Sequence, residues 1–194
     1  MPASLADISL LLFAYLLGSL SSAIILSKIM GFTDPRSEGS QNPGATNVLR
    51  IAGKKAAFLT LVGDCLKGLI PVLIAAAMSE DRLFIALAGF LAFLGHCYPV
   101  FFGFSGGKGV ATAIAVNVGF NWIAGVAVIA VWLLFAKVFK ISSLAAIISF
   151  TILPFLIYWL EAAVSITLVF AIMSVILVWR HKSNIQRLLQ GQES

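Results

Sequence analysis

Charge is the scarcest component of this sequence. Only 11% of its 194 residues are Asp, Glu, Lys or Arg, less than half of the roughly 25% usual in a soluble domain. Hydrophobic residues make up 60%, and the mean hydropathy is +1.03. A water-soluble globule of 20.7 kDa cannot enclose that much apolar surface. The shortage of charge also excludes a disordered chain and the charged faces of a coiled coil. Cysteine is equally sparse. Cys65 and Cys97 both lie inside or beside apolar runs, form no C-x-x-C pair and make no zinc spacing with His96 and His181; they read as free, buried thiols rather than a disulfide scaffold. The 8 acidic residues nowhere cluster as a Mg²⁺ site, which disfavours a metal-dependent phosphotransferase. No basic residue stands between Met1 and Leu10, so the amino end does not read as a signal peptide. What remains is an integral membrane protein.

The apolar runs are Ile8 to Met30, Ala56 to Met78, Leu83 to Tyr98, Val110 to Ala136, Leu144 to Leu160 and Ala162 to Trp179. A count of six fails a charge test, because cytoplasmic loops carry the excess of Lys and Arg. With the amino end outside, Arg36, Arg50, Lys54, Lys55 and Lys108 fall inside, and Glu80, Asp81 and Arg82 fall outside. A single crossing by Val110 to Ala136 then leaves Lys137, Lys140, Arg180, Lys182 and Arg187 outside; two crossings return all five to the cytoplasm. The break falls near Asn117 to Trp122, giving halves of about 12–15 residues, or 18–22 Å, shorter than the roughly 30 Å hydrocarbon core. The expectation is an all-α polytopic membrane protein with seven transmembrane helices, some short, the amino terminus outside and the carboxyl terminus cytoplasmic. No repeat or linker divides it, so residues 1–194 read as one domain.

Three polar segments fall on the cytoplasmic side. In Asp34 to Arg50, the side chains of Ser40, Asn42, Thr46, Asn47 and Arg50 offer donors, and the stretch after Pro43 can open a helix whose unpaired N–H groups favour an anion. The bland reading is a solvated, capped loop. In Gly103 to Thr112, glycines surround Lys108 and an apolar helix follows. Glycine permits backbone N–H groups to converge on an oxyanion; a flexible turn is the alternative. The Walker pattern fails, with Phe102 at its first glycine and Gly109 after the lysine. The third segment, Arg180 to Arg187, reads either as positive-inside anchors or, if the last helix runs on, as one face carrying Arg180, Asn184 and Arg187 beside His181. Within the second span, Asp64 and Lys67 lie three residues apart and read as a buried ion pair, with support of a site as the alternative. His96 is expected to make a helix-end hydrogen bond, and Ser142 and Ser143 to cap a helix. One membrane face thus gathers Arg50, Lys108, Arg180, Lys182 and Arg187. That face suits a ligand with two or more phosphate-like groups and a reaction joining a lipid tail to a soluble head. The basic residues lie in short loops, so no nucleic-acid partner is expected. A small anion transporter would use the same glycines and cations, but would place them near the midplane between repeats. A non-catalytic lipid-binding scaffold would need no such convergence.

The stretches GSQNPGATNVLR (Gly39 to Arg50), GHCYPVFFGFSGGKGVAT (Gly95 to Thr112) and RHKSNIQRLLQGQE (Arg180 to Glu193), with the D-x-x-K-G of Asp64, Lys67 and Gly68, resemble the bacterial acyl-phosphate:glycerol-3-phosphate acyltransferases, the PlsY family. One departure is Ser105, where a larger or basic residue is expected. The resemblance implies a seven-span fold in the bacterial cytoplasmic (inner) membrane with a cytoplasmic active site. It implies transfer of a fatty acyl group from acyl phosphate to the 1-hydroxyl of glycerol 3-phosphate, giving lysophosphatidic acid and phosphate, with no cofactor and no metal. It assigns Ser40, Arg50, Lys108, His181 and Asn184 as catalytic, and Asn42, Thr46, Asn47, Gly106, Gly107, Gly109, Ser142 and Arg187 as substrate-binding. The glycines and Lys108, helped by Ser40, Asn42 and Arg50, would hold phosphate, while His181, Asn184 and Arg187 would orient glycerol 3-phosphate. The expected partners are these two substrates and membrane lipid; the oligomeric state is open.

Overall fold

The computed structural model describes residues 4–193; Met1 to Ala3 of the amino-terminal segment read above lie outside that range. Nine α-helices are described, and no strand. They are α1 (Leu5–Gly18), α2 (Ser22–Met30), α3 (Ala45–Met78), α4 (Arg82–Cys97), α5 (Val110–Phe120), α6 (Trp122–Phe139), α7 (Ser142–Glu161), α8 (Val164–Arg180) and α9 (Lys182–Leu189). The first apolar run is therefore bent, by 47° between α1 and α2, where Ser19 turns its hydroxyl back onto the Tyr15 carbonyl. The segment after Pro43 does open a helix that continues into the second span, and α3 is broken only at Gly53.

The long run from Val110 breaks at Asn121, inside the interval expected. The Asn121 side chain accepts from the N–H groups of Ile123 and Ala124 and so caps α6. The chain reverses there, because Gly125 of α6 packs against Val118 of α5. Only α5 is short, at 11 residues, or about 16 Å; α6 has 18, which corrects the expectation of two short halves. By length and apolarity α3, α4, α6 and α7 qualify as membrane spans, and up to six qualify if each bent pair counts as one. This is a multi-pass membrane protein. Large apolar side chains such as Phe155, Trp159 and Trp179 stand exposed on its flank, as lipid contact requires.

Helices approach closely where glycine replaces a side chain. A Cβ on Gly18 would lie 2.1 Å from the Ala92 carbonyl oxygen of α4, and one on Gly68 of α3 would lie 2.5 Å from the Thr112 carbonyl oxygen of α5. Such small-residue contacts are the usual means of helix association in lipid. Polar ties then define two ends of the bundle. At one end, the Arg82 guanidinium bonds Glu161 at 3.1 Å through Nε and the Phe120 carbonyl at 3.0 Å through Nη1, while Asn121 donates to Glu161 at 2.8 Å. This joins the start of α4, the α5–α6 turn and the end of α7. The other end gathers all three polar sequence segments.

Candidate active site

At that second end a cavity of about 730 Å³ opens. Three helices begin on it, and none has a side-chain cap: α3 at Gly44, α5 at Gly109 and α7 at Ile141. Ser142 and Ser143 are therefore the first residues of α7, not its caps. Uncapped N–H groups carry the positive end of each helix dipole, so three partial positive charges face one space before any side chain is counted. Gly109 adopts φ +84°, a left-handed turn that lets the chain leave the Lys108 loop and enter α5 at once.

The expected site residues divide between lining and supporting positions. From the first segment Ser40, Asn42, Thr46, Asn47 and Arg50 line the cavity, from the second Lys108 and Gly109, and from the carboxyl-terminal half Ser142, His181, Asn184 and Arg187. Asn47 is buried and both of its amide N–H groups are used. Its Oδ1 accepts from the Ser40 N–H at 2.8 Å, and its Nδ2 donates to the Pro35 and Glu38 carbonyls at 2.9 Å. It shapes the loop that presents Ser40 and has no N–H left to donate to a ligand. Gly106 and Gly107 are absent from the cavity lining; their carbonyls accept from Arg180 at 2.6 and 3.0 Å. The straight-helix reading of the tail is corrected, because the chain bends by 57° between α8 and α9. The bend sends Arg180 to the glycine turn and leaves His181, Asn184 and Arg187 on the cavity.

The electrostatics follow from this packing. Lys108 Nζ donates to Asn184 Oδ1. Burial pushes its ammonium down to about 8; Glu193 works against that shift, and Arg187, Arg180 and Arg50 add to it. Burial likewise pushes His181 down to about 4, although its bond to Leu177 works the other way. Since a carbonyl can only accept, His181 Nδ1 carries the proton that bonds the Leu177 oxygen at 2.8 Å. Nε2 of the neutral ring is then an acceptor.

Glu193 was not among the expected site residues. Its carboxylate accepts from Ser143 Oγ at 2.7 Å, Arg187 Nε at 2.6 Å and Asn184 Nδ2. Burial opposes its ionisation, but those bonds hold it below the usual carboxylate range. The available signal was a lone acid at the end of a basic segment. His96 meets the expectation through its main chain alone: its carbonyl, in the last turn of α4, accepts from the Gly107 N–H at 3.2 Å, while its ring Nδ1 lies 3.2 Å from Thr112 Oγ1 and 3.6 Å from Asp64 Oδ1. Asp64 and Lys67 do pair, at 2.9 Å, with both side chains about 95% buried. Gly103, Phe104, Ser105, Gly106 and Gly107 fit the G-x-S-x-G spelling of a nucleophile elbow. No strand leads into the turn, however, and the Ser105 hydroxyl points to the Gly103 carbonyl, so the elbow geometry is missing.

The glycine turn yields a direct test. A Cβ on Gly106 would lie 2.1 Å from the His96 carbonyl oxygen and 2.7 Å from that of Cys97, both backbone atoms, whereas one on Gly107 would meet the His96 ring at 2.1 Å. A side-chain ring, held here by one bond to Thr112, gives way at less cost than two backbone carbonyls. Gly106→Ala is therefore expected to cut acyl transfer about 100-fold, the cost of displacing a site by an ångström, and Gly107→Ala to cut it less. Initial rates on purified protein decide the order.

Comparison with known proteins places the chain in a family. Residues 8–191 match the profile of the glycerol-3-phosphate acyltransferase family. The chain is 53% identical over 183 residues to the glycerol-3-phosphate acyltransferase of Methylococcus capsulatus, covering 94% of this chain and 92% of that protein. It is 55% identical over 184 residues to the one from Hydrogenovibrio crunogenus, covering 93% and 87%. Among solved structures, the glycerol 3-phosphate form of PlsY (YgiH), an integral membrane glycerol 3-phosphate acyltransferase, superposes with a TM-score of 0.93 at 38% identity, over 97% of this chain and 94% of that one. The lysophosphatidic acid form gives 0.88 at 37% identity over the same shares. By family profile, by sequence and by fold, the chain belongs to the glycerol-3-phosphate acyltransferase family, the integral membrane PlsY enzymes.

Proposed function

We propose that this enzyme transfers a fatty acyl group from acyl phosphate to the 1-hydroxyl of glycerol 3-phosphate, releasing lysophosphatidic acid and inorganic phosphate. The observation that carries the reading is the composition of one cavity. Arg50, Lys108 and Arg187 meet three helix starts in it, and Ala57, Phe58, Leu61 and Ile114 continue it along apolar helix faces. A phosphorylated head fits the first part and an acyl chain the second. The glycerol hydroxyl attacks the acyl carbon of the mixed anhydride. The bond from that carbon to the phosphate oxygen breaks, and the hydroxyl proton passes to a phosphate oxygen. Phosphate is already a competent leaving group, so positioning and charge neutralisation supply most of the catalysis. Lys108, Arg50 and Ser40 take the phosphate charge, with Asn42, Thr46 and the Gly109 start of α5. His181 Nε2 accepts from a glycerol hydroxyl and orients it, with Asn184, Arg187 and Ser142 around it. Gly106 and Gly107 act through the turn they form.

In the same reading the whole chain is one domain that crosses the bacterial inner membrane seven times, α5 being the short crossing. The amino terminus lies outside and the cavity faces the cytoplasm. The donor is tested by supplying palmitoyl phosphate, palmitoyl-CoA and palmitoyl carrier protein separately to purified enzyme with glycerol 3-phosphate. Lysophosphatidic acid is expected from the first alone, and formation from either thioester without acyl phosphate overturns the donor assignment.

A pH profile tests the role of Lys108. The profile of kcat/KM reports groups of the free enzyme. Lys108 is charged below about 8 and loses its charge as pH rises, so kcat/KM is expected to fall on the alkaline side with a midpoint near 8. Lys108→Arg should remove that limb. Stability moves the other way. Between about 8 and the ordinary 10.5 the unfolded chain binds more protons than the folded one, so Lys108 makes the fold more stable as pH rises through that window.

A further inference from the structure

The turn that delivers Lys108 to the cavity is gripped from two sides. On one side Arg180 spans two consecutive carbonyls, Nη2 to Gly106 at 2.6 Å and Nε to Gly107 at 3.0 Å, with its guanidinium carbon 5.4 Å from the centre of the Tyr98 ring. In a trans peptide the N–H points opposite to the carbonyl. Holding both carbonyls toward Arg180 therefore turns the N–H groups of Gly107 and Lys108 away from it. The first of these is met by the His96 carbonyl at 3.2 Å. The His96 ring then fills the space where a Gly107 side chain would stand, its Nε2 only 2.1 Å from the Cβ position.

The ring is itself fixed from below. The single Thr112 hydroxyl proton goes to the Asp64 main-chain carbonyl, at 2.9 Å, which can only accept. The Thr112 oxygen must then accept from His96 Nδ1 at 3.2 Å. Asp64 belongs to α3, Thr112 to α5, His96 to α4 and Arg180 to α8, so four helices fix one turn. We propose that Arg180 and the Thr112–His96 pair are positioning residues, which together set the point and direction at which Lys108 enters the cavity. The proposal rests on the reading of Lys108 as the phosphate ligand. It assigns these residues no contact with substrate.

The test uses the full-length enzyme, with Thr112→Val, Thr112→Ser and Arg180→Lys compared with the parent. Valine keeps the shape and loses the hydroxyl; serine restores it. Lysine keeps the charge of Arg180 and loses the planar fork that spans two carbonyls. Thr112→Val and Arg180→Lys are expected to raise the KM for a phosphorylated substrate about tenfold or more, a fraction of the cost of an ångström's misplacement, while kcat changes less than about threefold and the melting temperature stays within about 2 °C. Thr112→Ser should match the parent. Thr112→Val indistinguishable from Thr112→Ser, a melting temperature lowered with KM unchanged, or Arg180→Lys with parental constants each overturns the proposal. All constants are taken with whichever acyl donor the parent uses. A parent inactive with acyl phosphate therefore refutes the donor assignment, while variants equal to an active parent refute the positioning role.

Discussion

Lys108→Met is expected to lower kcat/KM by about 10³-fold. One well-aimed donor in a dehydrated site contributes about 10²–10³, and Lys108 combines a full charge with a largely enclosed position beside Asn184. Removing it leaves Arg50 and Arg187 in the same cavity, but Arg187 is bonded to Glu193. The loss should therefore stand close to the upper value. Lys108→Arg should recover a part, since it keeps the charge while placing it on a longer, planar group. Lysophosphatidic acid formation under subsaturating glycerol 3-phosphate measures the effect. A loss of only a few fold would remove Lys108 from the phosphate-binding role.

The second large effect is on stability. Asp64→Asn or Lys67→Met alone is expected to cost about 3–5 kcal/mol, the penalty for leaving one buried charge without its partner. Both side chains are about 95% buried and 2.9 Å apart. Lys67 also donates to the Leu20 carbonyl at 2.9 Å, which ties α3 to the break between α1 and α2. The Lys67→Met change therefore leaves an orphaned carbonyl as well as an orphaned carboxylate. The double variant Asp64→Leu with Lys67→Met should regain much of the loss, since a well-packed apolar pair often replaces a buried ion pair at little cost. Thermal unfolding of the purified protein in one detergent compares all three; a single variant as stable as the parent contradicts the buried-pair account.

The membrane class and the break at Asn121 were legible because both follow from local quantities: apolar run length and the side on which each Lys or Arg must fall. The three polar segments were legible as well, because glycine, asparagine and arginine are conspicuous in so apolar a chain. What could not be read was which atoms of those segments face the cavity. Gly106 and Gly107 look like a phosphate nest in sequence, yet the Gly107 N–H is taken by the His96 carbonyl and both carbonyls are held by Arg180, a partner more than 70 residues away. Asn47 looks like a donor, yet both its N–H groups are spent on the carbonyls of residues 35 and 38. Glu193 carries no periodic signal; the left-handed turn at Gly191, φ +66°, where the Gln192 N–H bonds the Arg187 carbonyl, folds it back onto Arg187 and Ser143. The contact with Ser143 on α7 arises from tertiary packing, which a window of sequence does not contain.

The interruption of α3 at Gly53 has a consequence of its own. Its φ of +80° and ψ of −176° belong to a region open essentially to glycine alone, although nothing lies within 4 Å of where a Cβ would stand. The roominess there is deceptive, because what forbids a larger residue is the chain's own torsion rather than any neighbour. Upstream of this articulation, the first two turns of α3 carry Thr46 and Arg50 as a single lever. Straightening it would re-aim both together, so this vacant-looking spot governs how Thr46 and Arg50 meet the cavity.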